Sequence, residues 1–262
     1  MEALDYLTRY YENYNEEGRL LSPHGQVEFL TTMRYIRRYL TPGCRVLEIG
    51  AGTGRYSHTL AREGYPVDAV ELVEHNIGIF RANTHEGEPV TIRQGNAVDL
   101  SFFADNTYDI TLLLGPMYHL YTDADRKKAL SEAIRVTRPG GVIFAAYCNN
   151  DATIVQFCFV QGRLNDMPYR DLVDRTTFKA SSTPQELFVL YRKEEIDALM
   201  ADFPVERLHY VGTDMATNFI RDTVDAMDEQ TFAAWLDYHF TICERPDMVG
   251  VTHHMLDVFR KC

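Results

Sequence analysis

The chain has 262 residues, 45% of them hydrophobic, which is enough to bury the core of one α/β domain with insertions. Its formal net charge of -12 would repel a polyanion and argues against a partner bound mainly through its phosphates, such as a nucleic acid. The five cysteines are scattered and form no Cys-x-x-Cys pair, so neither a disulfide framework nor a zinc site is predicted.

The N-terminal stretch MEALDYLTRYYENYNEEG carries charge throughout and lacks the apolar centre of a secretory signal. No apolar run in the sequence approaches the length of a membrane span. We therefore expect one domain over residues 1–262, cytoplasmic, without a membrane partner and with reduced cysteines.

The segment 1–40 is predicted to be helical. Tyr6, Tyr10 and Tyr14 recur at helical spacing, which predicts a weak first helix with the three rings roughly on one face. Ser22 and the proline after it favour the start of a second helix, whose apolar residues recur at helical spacing until a TPG turn.

Residues 44–148 alternate short apolar runs with helical stretches. The strand candidates, in chain order, are CRVLEI, YPVDAVEL, PVTIRQG, YDITLLLG and GVIFAAYC. Several are apolar on both faces, as in a parallel sheet covered by helices, and the alternation implies right-handed βαβ units. Residues 150–187 lack a clear period and are interpreted as an insertion. Residues 188–262 return to strand patterns, with a helical insertion, and end in the strand candidate THHMLDVFRK.

The stretch VLEIGAGTGRYSHTLAREG passes from a buried strand through three glycines into an amphipathic helix. Gly50, Gly52 and Gly54 allow positive φ and close approach of a ligand, at the switch point of an open α/β sheet. A dinucleotide fingerprint needs its third glycine at the position of Arg55, so the spacing argues against NAD. Glu71 ends the second strand candidate, where a carboxylate can accept both hydroxyls of a ribose.

The ordered motifs resemble those of a known family. LEIGAGTG resembles the first motif of class I S-adenosylmethionine-dependent methyltransferases, AVEL the second, QGNAVDLSF the third and YDITLLLGPMYHL the fourth. RVTRPGGVIF is similar to the family's turn into its fifth strand, and the small-molecule, methyltransferase-11-like branch is the most similar. The resemblance implies a Rossmann-like, doubly wound α/β fold with helical lid insertions. Its mostly parallel seven-stranded sheet would have the order 3-2-1-4-5-7-6.

The resemblance also implies S-adenosylmethionine as cofactor and S-adenosylhomocysteine as product. In the family the glycine turn backs the methionine part of the cofactor, and Glu48, an acid that suits a cationic ligand, would help to orient it. Glu71 would bind the ribose hydroxyls. The loop after the third strand would hold the adenine, with Asn96, where the family usually has Asp, still able to donate or accept. The implied cofactor-binding residues are Glu48, Gly50, Ala51, Gly52, Gly54, Glu71, Leu72, Asn96, Ala97 and Leu114.

A general base is needed only if the nucleophile arrives protonated. The candidate is His119, just past the fourth strand at the edge of the sheet where ligands bind. The alternative is a histidine that packs against the cofactor, since many relatives keep one there without a base role. Both roles stay open at this point.

The family's segments before the first strand and after the fifth cover the cofactor. They would place the N-terminal tyrosines and the run ATIVQFCFVQGR against the acceptor, and the candidate substrate contacts are Tyr10, Tyr14 and Tyr118. The tyrosines form an apolar box with polar tips, or they only pack a helix.

No metal is expected. A strand would place His253 and His254 on opposite faces, so the pair cannot easily bind one ion. The helical side that runs from Phe232 to Cys243 is interpreted as core.

The sequence thus predicts transfer of a methyl group to an O, N or C nucleophile of a small molecule, mainly by proximity and orientation. The alternatives are a nicotinamide-dependent oxidoreductase and a non-catalytic S-adenosylmethionine-binding regulatory protein. Methylation of protein or RNA stays open, with the acidic charge against RNA. A monomer and a homodimer are both compatible with the sequence.

Overall fold

The computed structural model describes residues 3–262. Two helices precede the sheet, α1 (Ala3–Asn13) and α2 (Pro23–Arg37). The Ser22 side chain caps α2 by accepting the N–H of Gly25 at 3.3 Å. The second helix therefore begins where the Ser-Pro pair predicts.

Strands and helices then alternate along the chain. The elements, in order, are β1 (Val46–Ile49), α3 (Arg55–Arg62), β2 (Val67–Glu71), α4 (Glu74–Asn83), β3 (Val90–Gln94), β4 (Tyr108–Leu113), a 3₁₀ turn (Pro116–His119), α5 (Asp123–Val136) and β5 (Thr137–Asn149). β1 is buried along its whole length, whereas β3, at the sheet edge, is mostly exposed. Burial on both faces explains the continuous apolar run of the central strand.

The remaining elements cover one end of the sheet and complete it. They are α6 (Asn150–Thr153), a π-helix (Ile154–Val160), α7 (Tyr169–Leu172), β6 (Leu190–Tyr191), α8 (Lys193–Met200), β7 (Val205–Gly212), a 3₁₀ segment (Met215–Ile220), α9 (Arg221–Asp225), α10 (Glu229–Ile242), a second 3₁₀ turn (Val249–Val251) and β8 (His254–Lys261). No helix within residues 3–262 is long and apolar enough to cross a membrane.

The sheet has the order β3-β2-β1-β4-β5-β8-β7. β1 to β5 are parallel to one another, and β8 is antiparallel to both β5 and β7. This confirms the doubly wound α/β fold and the predicted path through the sheet. The predicted number of seven strands is wrong by one, because β6 pairs with the end of β5 through two residues. A strand of two residues is too short to show an alternating pattern in the sequence.

Apolar clusters cover the two faces of the sheet. Leu47 and Ile49 belong to the cluster on the α5 side, while Val46 belongs to the cluster formed with α2 and α3. This alternation follows from the opposite direction of successive side chains in a strand. The interpretation of the 232–243 side as core holds for its second half, where His239, Ile242 and Cys243 are buried, whereas Phe232, Trp235 and Leu236 are half-exposed.

Candidate functional site

The first cavity lies at the carboxyl ends of β1, β2 and β4 and has a volume of about 370 Å³. That volume suits a small ligand. Its walls come from the glycine turn, the end of β2, the loop after β3 and the 3₁₀ turn after β4. The predicted cofactor-binding residues that line it are Glu48, Gly50, Ala51, Gly52, Glu71, Leu72, Asn96, Ala97 and Leu114.

The glycine turn brings the backbone to the wall of this cavity. Gly50 has a φ of 77°, and a Cβ on it would lie 2.7 Å from the ring of Pro116. Gly52 has a φ of 55°, and its N–H donates to Oε2 of Glu71 at 2.8 Å. Glycine adopts such φ values without strain, so both positions favour it, and the close approach of Pro116 makes Gly50 the more restricted of the two.

Gly54, predicted to bind the cofactor, lies outside the lining of the cavity. It is the N-cap residue of α3 with a φ of 93°. A Cβ on it would lie 2.6 Å from side-chain atoms of His58 and Phe80. In this structure Gly54 permits close packing at the start of α3.

The carboxylate of Glu71 is held in a fixed orientation at the end of β2. Besides the bond from Gly52, its Oε1 accepts the N–H of Val73 at 2.9 Å and the Nδ2 of Asn76 at 3.4 Å. Burial raises the pKa of Glu71 above its ordinary value, and the backbone donors oppose that shift. A carboxylate fixed in this way can accept hydrogen bonds from neighbouring hydroxyl groups of a ligand.

Asn76, in the first turn of α4, adds an unsatisfied acceptor to the same wall. The residue is 2% exposed, and its Oδ1 has no hydrogen-bond partner within residues 3–262. A buried acceptor without a partner costs about 1–3 kcal/mol. Glu71 and Asn76 together therefore point to a ligand that presents hydrogen-bond donors here.

Glu48 lies in β1 and is 1% exposed. It accepts a short hydrogen bond from the hydroxyl of Ser57. Burial raises the pKa of Glu48 to about 8, against the opposing effect of the Ser57 bonds. A cationic group beside Glu48 would favour its ionised form, whereas an anionic group would not.

The loop after β3 forms the outer wall. Ala97 is buried, whereas Asn96 is exposed and its Oδ1 accepts the N–H of Val98 at 3.2 Å. On the opposite side, the hydroxyl of Tyr118 donates to the carbonyl of Leu114 at 2.9 Å. The cavity thus combines apolar surface with backbone and amide groups.

A second cavity of about 490 Å³ adjoins the first. Both are lined by four residues that we call the shared wall: Tyr11, Glu16, Arg19 and Tyr118. All three predicted substrate contacts line the second cavity, and the rings of Tyr10 and Tyr14 stack there with centroids 5.0 Å apart at 18°. Phe157 and Phe188 add further aromatic surface.

His119 lines the first cavity and is bonded at both ring nitrogens. Its Nδ1 lies 2.9 Å from the carbonyl of Leu187, which can only accept, so Nδ1 carries the proton. Burial lowers the pKa of His119 to about 4 and keeps the ring neutral. Nε2 is then an acceptor, and the hydroxyl of Tyr11 donates to it at 2.9 Å.

An ion network forms one side of the second cavity. Arg19 donates to Glu28 at 2.8 Å, and Nδ1 of His254 donates to Asp214 at 2.6 Å with Glu28 3.3 Å away. Although burial alone would lower it, these two carboxylates raise the pKa of His254 well above its ordinary value. Burial alone would raise the pKa of Asp214. The charge and the hydrogen bond of His254 have the larger effect and hold the pKa of Asp214 well below its usual range.

Glu28, Asp214 and His254 each place one possible metal-ligand atom within 4.8 Å of the others. The distances fit hydrogen bonds and ion pairs, in which Arg19 and His254 supply the positive charge. The expectation that His253 and His254 point away from each other is wrong, since both line the second cavity. The strand β8 begins only at His254, so the alternation of a strand does not extend to His253.

Comparisons with known proteins bear on the first cavity. Residues 46–141 match the sequence model of a family described as a methyltransferase domain. One solved structure of the same fold is a SAM-dependent methyltransferase of Methanosarcina mazei, with 17% identity, a TM-score of 0.57 and coverage of 87% of this chain and 96% of that one. The match identifies residues 46–141 as a methyltransferase domain, and the Methanosarcina mazei structure shares the fold of this chain.

A second solved structure aligns with this chain over 100% of both chains, at 16% identity and a TM-score of 0.59. It comes from Thermotoga maritima and is described as a possible histamine N-methyltransferase. At this identity the two structures show the shared fold.

Two curated relatives cover part of the chain. A demethylmenaquinone methyltransferase of Corynebacterium urealyticum is 34% identical over 135 residues, 52% of this chain and 54% of the relative. A ubiquinone biosynthesis O-methyltransferase of Rhizobium etli is 38% identical over 110 residues, 41% of this chain and 42% of the relative. The chain thus spans about half the length of the curated relatives it matches.

Sequence reasoning missed several residues of the two cavities. Asn76 lies five positions after Glu71, on the first turn of the following helix, and that spacing could have indicated it. Tyr11 falls between the tyrosines that share a helical face, yet it is the one bonded to His119. The network of Arg19, Glu28 and Asp214 has no local motif, because its members come from distant parts of the chain.

Proposed function

We propose that this methyltransferase transfers the methyl group of S-adenosylmethionine to an O, N or C nucleophile of a small molecule. The observation that carries the proposal is the shared wall. It separates a cavity with the family's glycine turn from a second, aromatic cavity that a small acceptor could occupy. A protein that only bound the cofactor would have no need of the second cavity.

The residues of the first cavity fit the cofactor. The oriented carboxylate of Glu71 and the unpaired Oδ1 of Asn76 match the donors of a ribose diol. Glu48, whose ionised form needs a cationic neighbour, suits the ammonium group or the sulfonium of S-adenosylmethionine. Asn96 and Ala97 would form the adenine end, as the family resemblance implies.

When bound, S-adenosylmethionine supplies a methyl group that its sulfonium already activates. What remains for the chain is to hold the nucleophile in line and exclude water, and proximity alone can contribute roughly 7–11 kcal/mol. The aromatic rings of Tyr10, Tyr14 and Tyr118 supply a rigid wall for this purpose.

His119 is better suited to positioning than to proton abstraction. Its only free lone pair already accepts the hydroxyl of Tyr11, and its low pKa makes it a weak base at neutral pH. Through Tyr11 it fixes α1 against the turn after β4, and so shapes the shared wall.

The names of the two curated relatives support a small organic acceptor and, for one of them, methylation at oxygen. The matches span about half of each relative, so the acceptor of this chain is not transferred from them. A nicotinamide cofactor is disfavoured by Arg55, which occupies the position of the third glycine of the dinucleotide motif.

Calorimetric titration with S-adenosylhomocysteine and with NAD, on the wild type and Glu71→Ala, tests the proposal. We expect S-adenosylhomocysteine to bind and the variant to lose about 1.5–3 kcal/mol of binding free energy, as for a charged hydrogen-bonding group. Glu74→Ala is the matched control, because Glu74 is an exposed glutamate paired only with Arg81 at 3.4 Å. Binding of NAD instead, or equal binding by wild type and Glu71→Ala, would overturn the assignment.

A further inference from the structure

The second cavity contains a buried histidine without a hydrogen-bond partner. His253 is 6% exposed, and within residues 3–262 neither of its ring nitrogens has a partner. Burial lowers the pKa of His253 to about 4, so the ring is neutral, with one N–H donor and one acceptor. Each unpaired polar atom costs about 1–3 kcal/mol, which a ligand in the cavity could recover.

Arg221, at the start of α9, is exposed to solvent and lines the same cavity. Its Nε donates to Oδ1 of Asn218 at 2.7 Å, and Nδ2 of Asn218 donates in turn to Asp214. Within residues 3–262 no carboxylate pairs with Arg221. The relay therefore fixes the guanidinium at the cavity and leaves its terminal N–H groups available for a ligand.

The other charged side chains named so far in this cavity form ion pairs with one another. Arg19 bonds both Glu16 and Glu28, and His254 bonds Asp214. Asp214 also accepts the hydroxyl of Thr252 and the backbone N–H of His253 at 2.8 Å. Arg221 is thus the cavity cation that this network leaves without a counter-charge.

Aromatic side chains also line the second cavity. Tyr10 and Tyr14 stack nearly parallel, Tyr10 meets Phe188 edge to face at 5.9 Å, and Phe157 stacks on Tyr169 at 14°. Rings held in this way accept a planar molecule with little loss of side-chain entropy.

We infer that the acceptor is an aromatic carboxylic acid, whose carboxylate is bound by Arg221 and His253 and whose ring lies between the tyrosine and phenylalanine side chains. The inference rests on the proposed function, because it takes the second cavity to be the acceptor site. A planar carboxylate matches the fork of the guanidinium, and the neutral imidazole supplies a further N–H donor.

The experiment compares three probes of one shape: 2-naphthoate, 2-naphthalenemethanol and 2-naphthalenemethylamine. Their dissociation constants are measured by ligand-detected NMR, with and without S-adenosylhomocysteine. We expect naphthoate to bind at least about tenfold more tightly than the alcohol, because of the charge-assisted bonds, and the amine to bind most weakly.

Arg221→Gln should abolish the preference for naphthoate and leave the affinity for the alcohol within about twofold. The matched control is Arg245→Gln, which removes the same charge from an exposed ion pair with Asp247 outside the cavity. His253→Phe keeps the ring that packs on Phe219 but removes the unpaired nitrogens. We expect it to weaken naphthoate binding by about threefold or more while raising the melting temperature of the free protein.

A purely structural His253 would lose stability in His253→Phe, and that result contradicts the inference. So does equal binding of acid and alcohol, preference for the amine, failure of all three probes, or an equal effect of Arg221→Gln on acid and alcohol. The proposed function is judged separately, by the binding of S-adenosylhomocysteine in the same samples. If S-adenosylhomocysteine does not bind but naphthoate is still preferred, the methyltransferase activity is rejected and an acid-binding site is retained.

Discussion

The two cavities are adjacent but are built in different ways. The first is formed mainly by backbone turns and carboxylates between residues 48 and 121, close to the strands that carry them, with a few residues of the N-terminal segment. The second is formed by residues 10–28, Tyr118, and residues 148–157, 188–190, 214–221 and 253–254. A site of the first kind can be recognised in a local sequence motif, whereas one of the second kind exists only after the chain has folded.

Their electrostatics differ as well. In the first cavity Glu48 and Glu71 are buried and have no basic partner among residues 3–262, and hydrogen-bond donors hold them. In the second, carboxylates are paired with Arg19 and His254. The first cavity therefore holds these two carboxyl groups by hydrogen bonds, while the second holds its carboxylates by ion pairs.

The largest expected effect is a loss of stability on a substitution in the second cavity. Asp214→Asn removes the buried carboxylate that accepts from His254, His253 and Thr252, and leaves the half-buried His254 near Glu28 without its main partner. We expect the free energy of unfolding in urea to fall by about 3–5 kcal/mol. Binding of S-adenosylhomocysteine by the folded fraction should change less than twofold, because Asp214 does not line the first cavity.

Asp247→Asn serves as the control for Asp214→Asn, since Asp247 forms an exposed pair with Arg245. Its effect should stay below about 0.5 kcal/mol. A loss of less than about 1 kcal/mol in Asp214→Asn would show that the network is not a structural centre of the second cavity.

An intermediate effect concerns Glu48 and the pH dependence of stability. The folded protein keeps the Glu48 proton up to a pKa of about 8, whereas the unfolded chain loses it near the ordinary value for glutamate. Between these two values the unfolded state binds fewer protons, so stability falls as the pH rises, by up to about 1.4 kcal/mol per pH unit.

Glu48→Gln removes this titration and retains an oxygen that can accept the hydroxyl of Ser57. The difference in unfolding free energy between the variant and the wild type should therefore grow in favour of the variant from pH 5 to pH 8. Parallel stability curves for the two proteins over this range would mean that Glu48 is ionised in the folded protein without a ligand.

A smaller effect is expected at the shared wall. Tyr11→Phe removes the hydroxyl that donates to Nε2 of His119 and leaves the ring in place. The loss of one net hydrogen bond should lower the unfolding free energy by about 0.5–1.5 kcal/mol. Tyr238→Phe is the control, because that ring is half exposed on α10. Equal effects of the two substitutions would remove Tyr11 from the positioning role.

The protonation state of His119 tests its positioning role without a measurement of stability. With a pKa of about 4 and Nδ1 bonded to a carbonyl, the ring should stay neutral, with its proton on Nδ1, from pH 5.5 to pH 8. Nitrogen chemical shifts of the labelled protein report this directly. A titration midpoint near 6.5 would restore His119 as a candidate general base.

The sequence predicts the fold and the first cavity well because their determinants are local. Gly50 and Gly52 need positive φ next to a buried strand, and Glu71 ends the following strand, so one short stretch of sequence defines most of that wall. Gly54 shares the motif but lies outside the lining, since its position is required by packing against Phe80.

The second cavity could not be predicted in the same way. Arg19 and His254 are more than two hundred positions apart, and no spacing rule relates them before the sheet has formed. His253 and His254 were expected on opposite faces because the strand was extended by one residue too many. Tyr10 and Tyr14 were found through helical periodicity, whereas Tyr11 depends on where α1 meets His119.

A crystal structure of the protein with S-adenosylhomocysteine tests the central claim most directly. We expect ligand density in the first cavity, along Gly50 and Gly52 and against the carboxylate of Glu71. The second cavity should be left available for the acceptor. Density in the second cavity, or a ligand that does not contact Glu71, would contradict the assignment of the two cavities.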